Sequence, residues 1–459
     1  MFKKIISFYK ISSPVKLESI TEDEQQRKYK RLRFSSFFAA TVGYSLYYVC
    51  RTSLNVVKQP ILENGTLNAS QLGIIGSVLL FSYAIGKFIN GFLADHSNIK
   101  RFMATGLIIS TLANLIVGIL GLAESSTIGF SSFIFFIAFA IMWGINGWSQ
   151  SMGAAPAIIS LSRWYPIKER GTYYGFFSAS HNLGEFLSFI FVGTIVGLCG
   201  WQWGFIGSSV AGILGVLIII LFLHDTPQSK GLPTVEVLTN EKIAPTDNKG
   251  GTKDVQKAVL RNPWVWILAL FSAFMYISRY AINGWGVLFL QESKGFSLGT
   301  ATQIISINAL LGIFGTIFSG WISDKLFKGN RNLPALLFGI LNTFSLCLFL
   351  YSGNNIYINI LSMVLFGIAI GVLICFLGGL MAVDIVPRNA SGAALGIVGI
   401  ASYVGAGIQD IVSGWFIDSG KSVENGTTVY NFDYASIFWI TASIISFSLI
   451  LLVWKKKKS

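Results

Sequence analysis

Twelve apolar runs, each long enough to cross about 30 Å of hydrocarbon, constrain this chain more than any other feature. They lie at 35–57, 70–94, 102–122, 129–151, 171–197, 203–223, 263–290, 298–322, 333–351, 355–383, 391–417 and 434–454. Hydrocarbon offers backbone groups no partners, so runs of this length are expected to be helices. Only 12% of the residues are charged, against about 25% in soluble domains. The longest polar stretch falls between the sixth and seventh runs. The expected fold class is an all-α membrane protein, with twelve transmembrane helices in two pseudo-symmetric six-helix bundles. The division is a cytoplasmic N-terminal segment 1–34, a bundle 35–223, a cytoplasmic linker 224–262, a bundle 263–454 and a basic cytoplasmic tail 455–459. The tenth and eleventh runs are the hardest to separate, because only "VDIVPRNAS" divides them.

Charge placement orients the spans. With both termini cytoplasmic, the inside segments hold 28 of the 34 Lys and Arg residues, and the outside loops hold Lys58, Lys294 and Lys421. The remaining three, Arg51, Lys87 and Arg279, fall within spans. This bias follows the positive-inside rule and accounts for the net charge of +13 without nucleic acid. "WKKKK" at the C-terminus reads as a stop to transfer that touches anionic headgroups. No base-stacking or groove-binding pattern accompanies it, so no nucleic-acid partner is expected. Residues 1–34 are too polar, and lack the cleavage site, for a removed signal peptide. Cys50, Cys199, Cys347 and Cys375 read as small apolar side chains, not a disulfide framework. Sequons at Asn64, Asn68 and Asn425 would face outward. The linker has room for one short amphipathic helix near 253–260.

The two halves repeat one design. Gly91 and Asp95 in "GFLADHSNIKR" match Gly320 and Asp324 in "GWISDKLFKGNR" at an offset of 229. Pro166, Gly171, Gly175 and Gly184 recur as Pro387, Gly392, Gly396 and Gly405 at an offset of 221. Arg51 recurs as Arg279 at an offset of 228. Such repeats signal a transporter whose binding site lies between two related bundles. The Gly-x-x-x-Asp pattern after the second span resembles the signature of the major facilitator fold. Asp95 and Asp324, each at a helix end near a basic loop that carries Arg101 or Lys325, are expected to hold one conformation through charge pairs.

Arg51 and Arg279 pose the functional question. An arginine keeps its proton, and one at a span centre costs at least about 2.5–3.5 kcal/mol on insertion scales. One reading pairs each with a buried carboxylate, for which Glu185 and Asp410 are the candidates. The other has the two face each other across the central axis and grip one doubly charged anion, because guanidinium forks bind phosphate oxygens bidentately. Tyr48 and Tyr276 each precede an arginine by three, which puts each hydroxyl on the arginine's face; aromatic packing is the alternative. Lys87 either snorkels to the headgroups or lines the cavity. His181 and Glu185 share a helix face, but no third ligand stands near for a metal. Hydrogen bonding to substrate, a protonation step or plain packing remain for them. No catalytic constellation suggests an enzyme, and no cofactor is called for.

At these residues the chain resembles the organophosphate:phosphate antiporter family of the major facilitator superfamily, over nearly its whole length. The matching stretches are "YYVCR", "GKFINGFLADHSN", "NGWSQSMGAAP", "SASHNLG" and "YISRYAINGWG". "INGWG" and "SDKLFKGNR" look closest to the hexose-phosphate branch, which contains carriers and a sensor relative. The resemblance implies that Arg51 and Arg279 bind the phosphate, with Lys87 and His181 near it. It also implies a bacterial inner membrane, monomeric action, and organophosphate exchanged for inorganic phosphate by alternating access. Thr52 and Gly284 stand where the family often has a basic and an acidic residue. Asp410 lies near the place of a selectivity acid, but Ser413 follows with no lysine. Two rivals are a sensor with a signalling partner, and a proton-coupled symporter using Glu185 or Asp410.

Overall fold

The computed structural model describes residues 7–17, 21–124, 131–241, 259–328, 330–386, 391–424 and 427–454. Twelve long helices organise them. They are α1 Glu22–Glu63, α2 Ala69–Asp95, α3 Ile99–Glu124, α4 Ser132–Trp164, α5 Ile167–Cys199, α6 Trp201–Phe222, α7 Pro263–Glu292, α8 Leu298–Trp321, α9 Asn332–Tyr351, α10 Ile356–Cys375, α11 Ser391–Ser419 and α12 Asp433–Trp454. Eleven are long and apolar enough to cross a membrane; α1 falls outside that group. At 1.5 Å per residue, its 42 residues run to about 63 Å, of which only the second part is apolar. A capping box at Thr21 starts α1, and another at Asn68 starts α2. Asn68, expected as a glycosylation sequon, therefore uses its side chain as a helix cap. Asn425, the tail 455–459 and most of 253–260 lie outside the described residues.

The tenth run, 355–383, is helical from Ile356 to Asp384: the α-helix to Cys375 widens into a π turn over Phe376–Leu380 and continues as Met381–Asp384. One expectation is corrected. Lys58 is not in an outside loop. It is 1% exposed within α1, which continues through Pro60 to Glu63.

The repeat seen in sequence is a repeat of contacts. A methyl group placed on Gly184 of α5 would strike the Ser45 carbonyl of α1; one placed on Gly405 of α11 would strike the Ala273 carbonyl of α7. Ser45 and Ala273 are 228 apart, and Gly184 and Gly405 are 221 apart. Gly86 against Ser151 likewise matches Gly315 against Gly371. Small residues let backbones approach this closely where no hydrophobic force drives helices together in lipid.

The end where α1 begins and α12 finishes is here the termini end. There Asp225 accepts from Arg163 Nη1 at 2.5 Å, from the Ile99 amide at 3.0 Å and from the Ser12 amide at 2.7 Å. This joins α3, α4, the segment after α6 and the N-terminal segment. At the far end Gln291 donates to Gln59, and Ser70 to Asp418. The seam between the bundles is tight at the far end. Gly73 of α2 lies against the Asp410 backbone and Gly414 of α11, and Gly193 of α5 lies against Thr302 of α8. Towards the termini end the helices part. Added methyl groups at Gly91, Gly175, Gly320, Gly392 and Gly396 would meet nothing within 4 Å.

Candidate functional site

Arg51 on α1 and Arg279 on α7 are both buried, at 5% and 3% exposure. Equivalent asparagines pin the residue before each. Asn114 of α3 donates to the Cys50 carbonyl at 2.8 Å, and Asn342 of α9 donates to Ser278 Oγ at 3.0 Å. Both donors and both anchors are 228 apart. Asn146 of α4 adds a second bond to the Cys50 carbonyl at 3.1 Å.

Beyond that shared base the two cations differ. Arg51 Nη2 donates to the Tyr280 hydroxyl at 3.1 Å. Its guanidinium carbon lies 4.2 Å from the Tyr83 ring centre, and 5.3 Å from those of Tyr48 and Tyr403. Its Nη1 is buried with no hydrogen-bond partner among the described residues. Arg279 instead donates through Nη2 to both carboxylate oxygens of Glu185 on α5, at 3.1 Å each. Its guanidinium also stands 5.8 Å from the Tyr276 ring and 5.7 Å from that of Tyr280. Tyr48 and Tyr276 thus offer ring faces to their arginines, and the hydroxyl in use is that of Tyr280. Helical side chains lean toward the N-terminus, so a tyrosine three residues earlier carries its hydroxyl past the guanidinium.

A small cavity, with about 20 Å³ of water-accessible space, opens beside Arg51. Its polar wall is Arg51, Thr52, Asn55, Glu185, Tyr280, Asn283 and Asp410; Leu79, Leu80 and Trp143 are among the apolar lining. Arg279 is not on that wall, because the Glu185 carboxylate stands on it instead. Three layers follow along the seam. On the termini side, Tyr48, Tyr83, Tyr276 and Tyr403 crowd together, with the Tyr83 and Tyr403 rings 4.5 Å apart. The cavity comes next. On the far side Lys58 of α1 lies 3.5 Å from Asp410 of α11 and 3.5 Å from the Trp285 ring centre of α7. Trp285 Nε1 donates to the same carboxylate at 2.7 Å.

The remaining sequence candidates separate. His181 lies tilted against Tyr48 with ring centres 5.9 Å apart, and its Nε2 is buried without a partner among the described residues. Lys87 is exposed, 5.4 Å from the Tyr403 ring and close to Gly399 of α11, so it stands at the termini-side mouth between the bundles. Asp95 and Arg101 do not pair with each other in this conformation. Arg101 donates to the Phe8 carbonyl at 2.7 Å; the Asp95 backbone carbonyl accepts from Arg163 at 3.4 Å, and the Asp95 carboxylate adds its charge near the same guanidinium. Asp225 takes Arg163 instead, because it sits against the free amides at the start of α3, where a carboxylate is favoured. Lys325 is exposed, and the Asp324 side chain lies outside those described. The nearby ion pair is Arg331 with Asp384, at 2.7 Å.

Sequence reasoning passed over Tyr280, Tyr83, Tyr403, Asn55 and Asn283, and misplaced Lys58. Asn55 and Asn283 carried a readable signal, since they share the 228 offset of the arginines. The tyrosines of α2 and α11 carried none, because their partner is on another helix.

Residues 40–409 match the family model described as Major Facilitator Superfamily. The chain belongs to the major facilitator superfamily. Within it the relatives place the chain in the organophosphate:phosphate antiporter family, a family of transporters and not of enzymes. It is 35% identical to a probable hexose phosphate transport protein of Chlamydia pneumoniae, over 86% of this chain and 88% of that one. It is 31% identical to the membrane sensor protein UhpC of Salmonella typhimurium, over 90% of each. Among solved structures it resembles a bacterial homologue of the human lysosomal transporter Spinster, in an inward-facing and unoccupied conformation. The TM-score is 0.74 at 18% identity, covering 94% of this chain and 99% of that one; that likeness speaks for the fold alone.

Proposed function

We propose that this membrane protein carries organophosphates, hexose phosphate foremost, in exchange for inorganic phosphate. The observation that carries this reading is a buried arginine from each bundle, with Arg51 on a cavity wall, lacking a carboxylate and holding a free Nη1. A buried cation with an unused donor is costly, and a phosphoryl oxygen supplies both charge and acceptor. The names of the hexose phosphate relatives agree with that chemistry.

In this reading the termini lie in the cytoplasm of a bacterial inner membrane, and the open end of the seam faces inward. The bundles 35–223 and 263–454 rock about the site, so that one end opens as the other closes. His181 and Lys87 add donors on the termini side. Asn55 and Asn283 offer amides to sugar hydroxyls. The chain works as a monomer.

The test is counterflow in proteoliposomes: labelled phosphate inside, a panel of sugar and glycerol phosphates outside. Arg51→Lys keeps the charge and loses the fork. Exchange should fall by about a hundredfold or more with normal expression, in line with the energy of a charge-assisted bidentate contact. Robust exchange in that variant would remove the phosphate assignment of Arg51. The UhpC relative makes a sensor the second reading, with a signalling partner in the membrane. A pure receptor gives no exchange in phosphate-loaded vesicles.

A further inference from the structure

Glu185 is the one cavity-wall carboxylate that meets an arginine, and it does so from the opposite bundle. Its side chain is 4% exposed, that of Arg279 is 3% exposed, and one guanidinium nitrogen bonds both carboxylate oxygens. The other cavity carboxylate, Asp410, is already engaged by Lys58 and Trp285. The charges therefore sum differently from a bare two-arginine site. Arg279 is neutralised before any anion enters, and Arg51 rests among four tyrosines.

We propose that Glu185 is a tethered stand-in for the transported anion, which lets the empty protein close and reorient, so that it also conducts net downhill movement of phosphate compounds. This rests on the carrier reading above. Exchange is obligatory when an unloaded site leaves buried cations facing each other across the closing seam, because their desolvation is uncompensated. Here a carboxylate on α5 already bridges to α7, so closure traps an ion pair. The same contact sets a competition. An incoming phosphate reaches Arg279 only by displacing Glu185, which weakens its apparent binding. A ligand moves a conformational equilibrium only by its differential affinity for the two states; a carboxylate covalently held at the site supplies part of that difference without a ligand.

The experiment compares two fluxes in proteoliposomes of the full chain, with the membrane potential clamped by potassium and valinomycin. Labelled glucose 6-phosphate is placed outside, and the lumen holds either inorganic phosphate or none. The wild type is expected to fill phosphate-free vesicles to the outside concentration, at a rate within about tenfold of exchange. In Glu185→Gln, downhill entry should fall by about tenfold or more relative to exchange, while half-saturation by phosphate moves to lower concentration. Glu185→Asp, which keeps the charge, should restore downhill entry. Wild-type exchange without entry into phosphate-free vesicles overturns the proposal, and that arm needs no variant to fold. An unchanged ratio of the two fluxes in Glu185→Gln overturns it as well. Absence of exchange in the wild type strikes the carrier reading itself.

Discussion

The two ends of the seam are made of the same kinds of residues and behave oppositely. At the far end, Gly73 of α2 lies against the α11 backbone, Gly193 of α5 lies against the Thr302 side chain of α8, and Lys58, Asp410 and Trp285 lock three helices together. At the termini end, the glycines of the repeated motifs face open space. The Lys58–Asp410 contact has no counterpart there among the described residues. The pairs that do form at that end among the described residues, Arg33 with Glu169, Arg163 with Asp225 and Arg331 with Asp384, each stay within one half of the chain. A buried ion pair between bundles therefore accompanies closure, and pairs within a bundle accompany opening. Pseudo-symmetry supplies two ends that can each close; the side chains decide which one is closed.

The largest effect should come from breaking the far-end pair. Lys58→Ala leaves Asp410 buried beside Trp285 with no counter-charge, which costs about 3–5 kcal/mol. Thermal unfolding in detergent should register that loss, and Lys58→Ala with Asp410→Asn should recover most of it. Equal stability in the single and double variants would mean that the pair does not hold this end shut. Next come steric wedges on either side of the comparison. Gly73→Leu drives a side chain into the α11 backbone, and overpacking of this kind costs about 1–3 kcal/mol; exchange should slow, and the termini end should become less open to thiol reagents because the far end can no longer close. Gly396→Leu meets nothing in this conformation, so stability should change by less than about 0.5 kcal/mol. Exchange should nevertheless slow, because that end has to close in turn. Unimpaired exchange in Gly396→Leu would show that the termini end never seals along α11.

The smallest effect concerns acid. His224, at the termini end, is lowered from its ordinary 6.5 to about 4 by burial, with the charges of Lys230 and Lys100 adding to it. It is held neutral when folded and would take a proton when unfolded. Its contribution is complete above about 6.5 and is lost as pH falls toward about 4. His224→Gln should flatten the decline of thermal stability across that window, and an unchanged decline would assign it to the carboxylates.

Hydrophobic run length, charge bias and the repeated offsets determined the helix count, the class of fold and the pairing of Arg51 with Arg279. Those are local or periodic properties, and lipid leaves a backbone few alternatives. The surroundings of each arginine were not legible. Glu185 and Arg279 are 94 positions apart, and Arg51 and Tyr280 are 229 apart. Nothing local distinguishes Glu185 as a counter-ion, Lys58 as buried, or Asp225 in place of Asp95 as the partner of Arg163. Tertiary structure decided those points, because a buried charge takes whichever opposite group the packing of distant helices brings within reach.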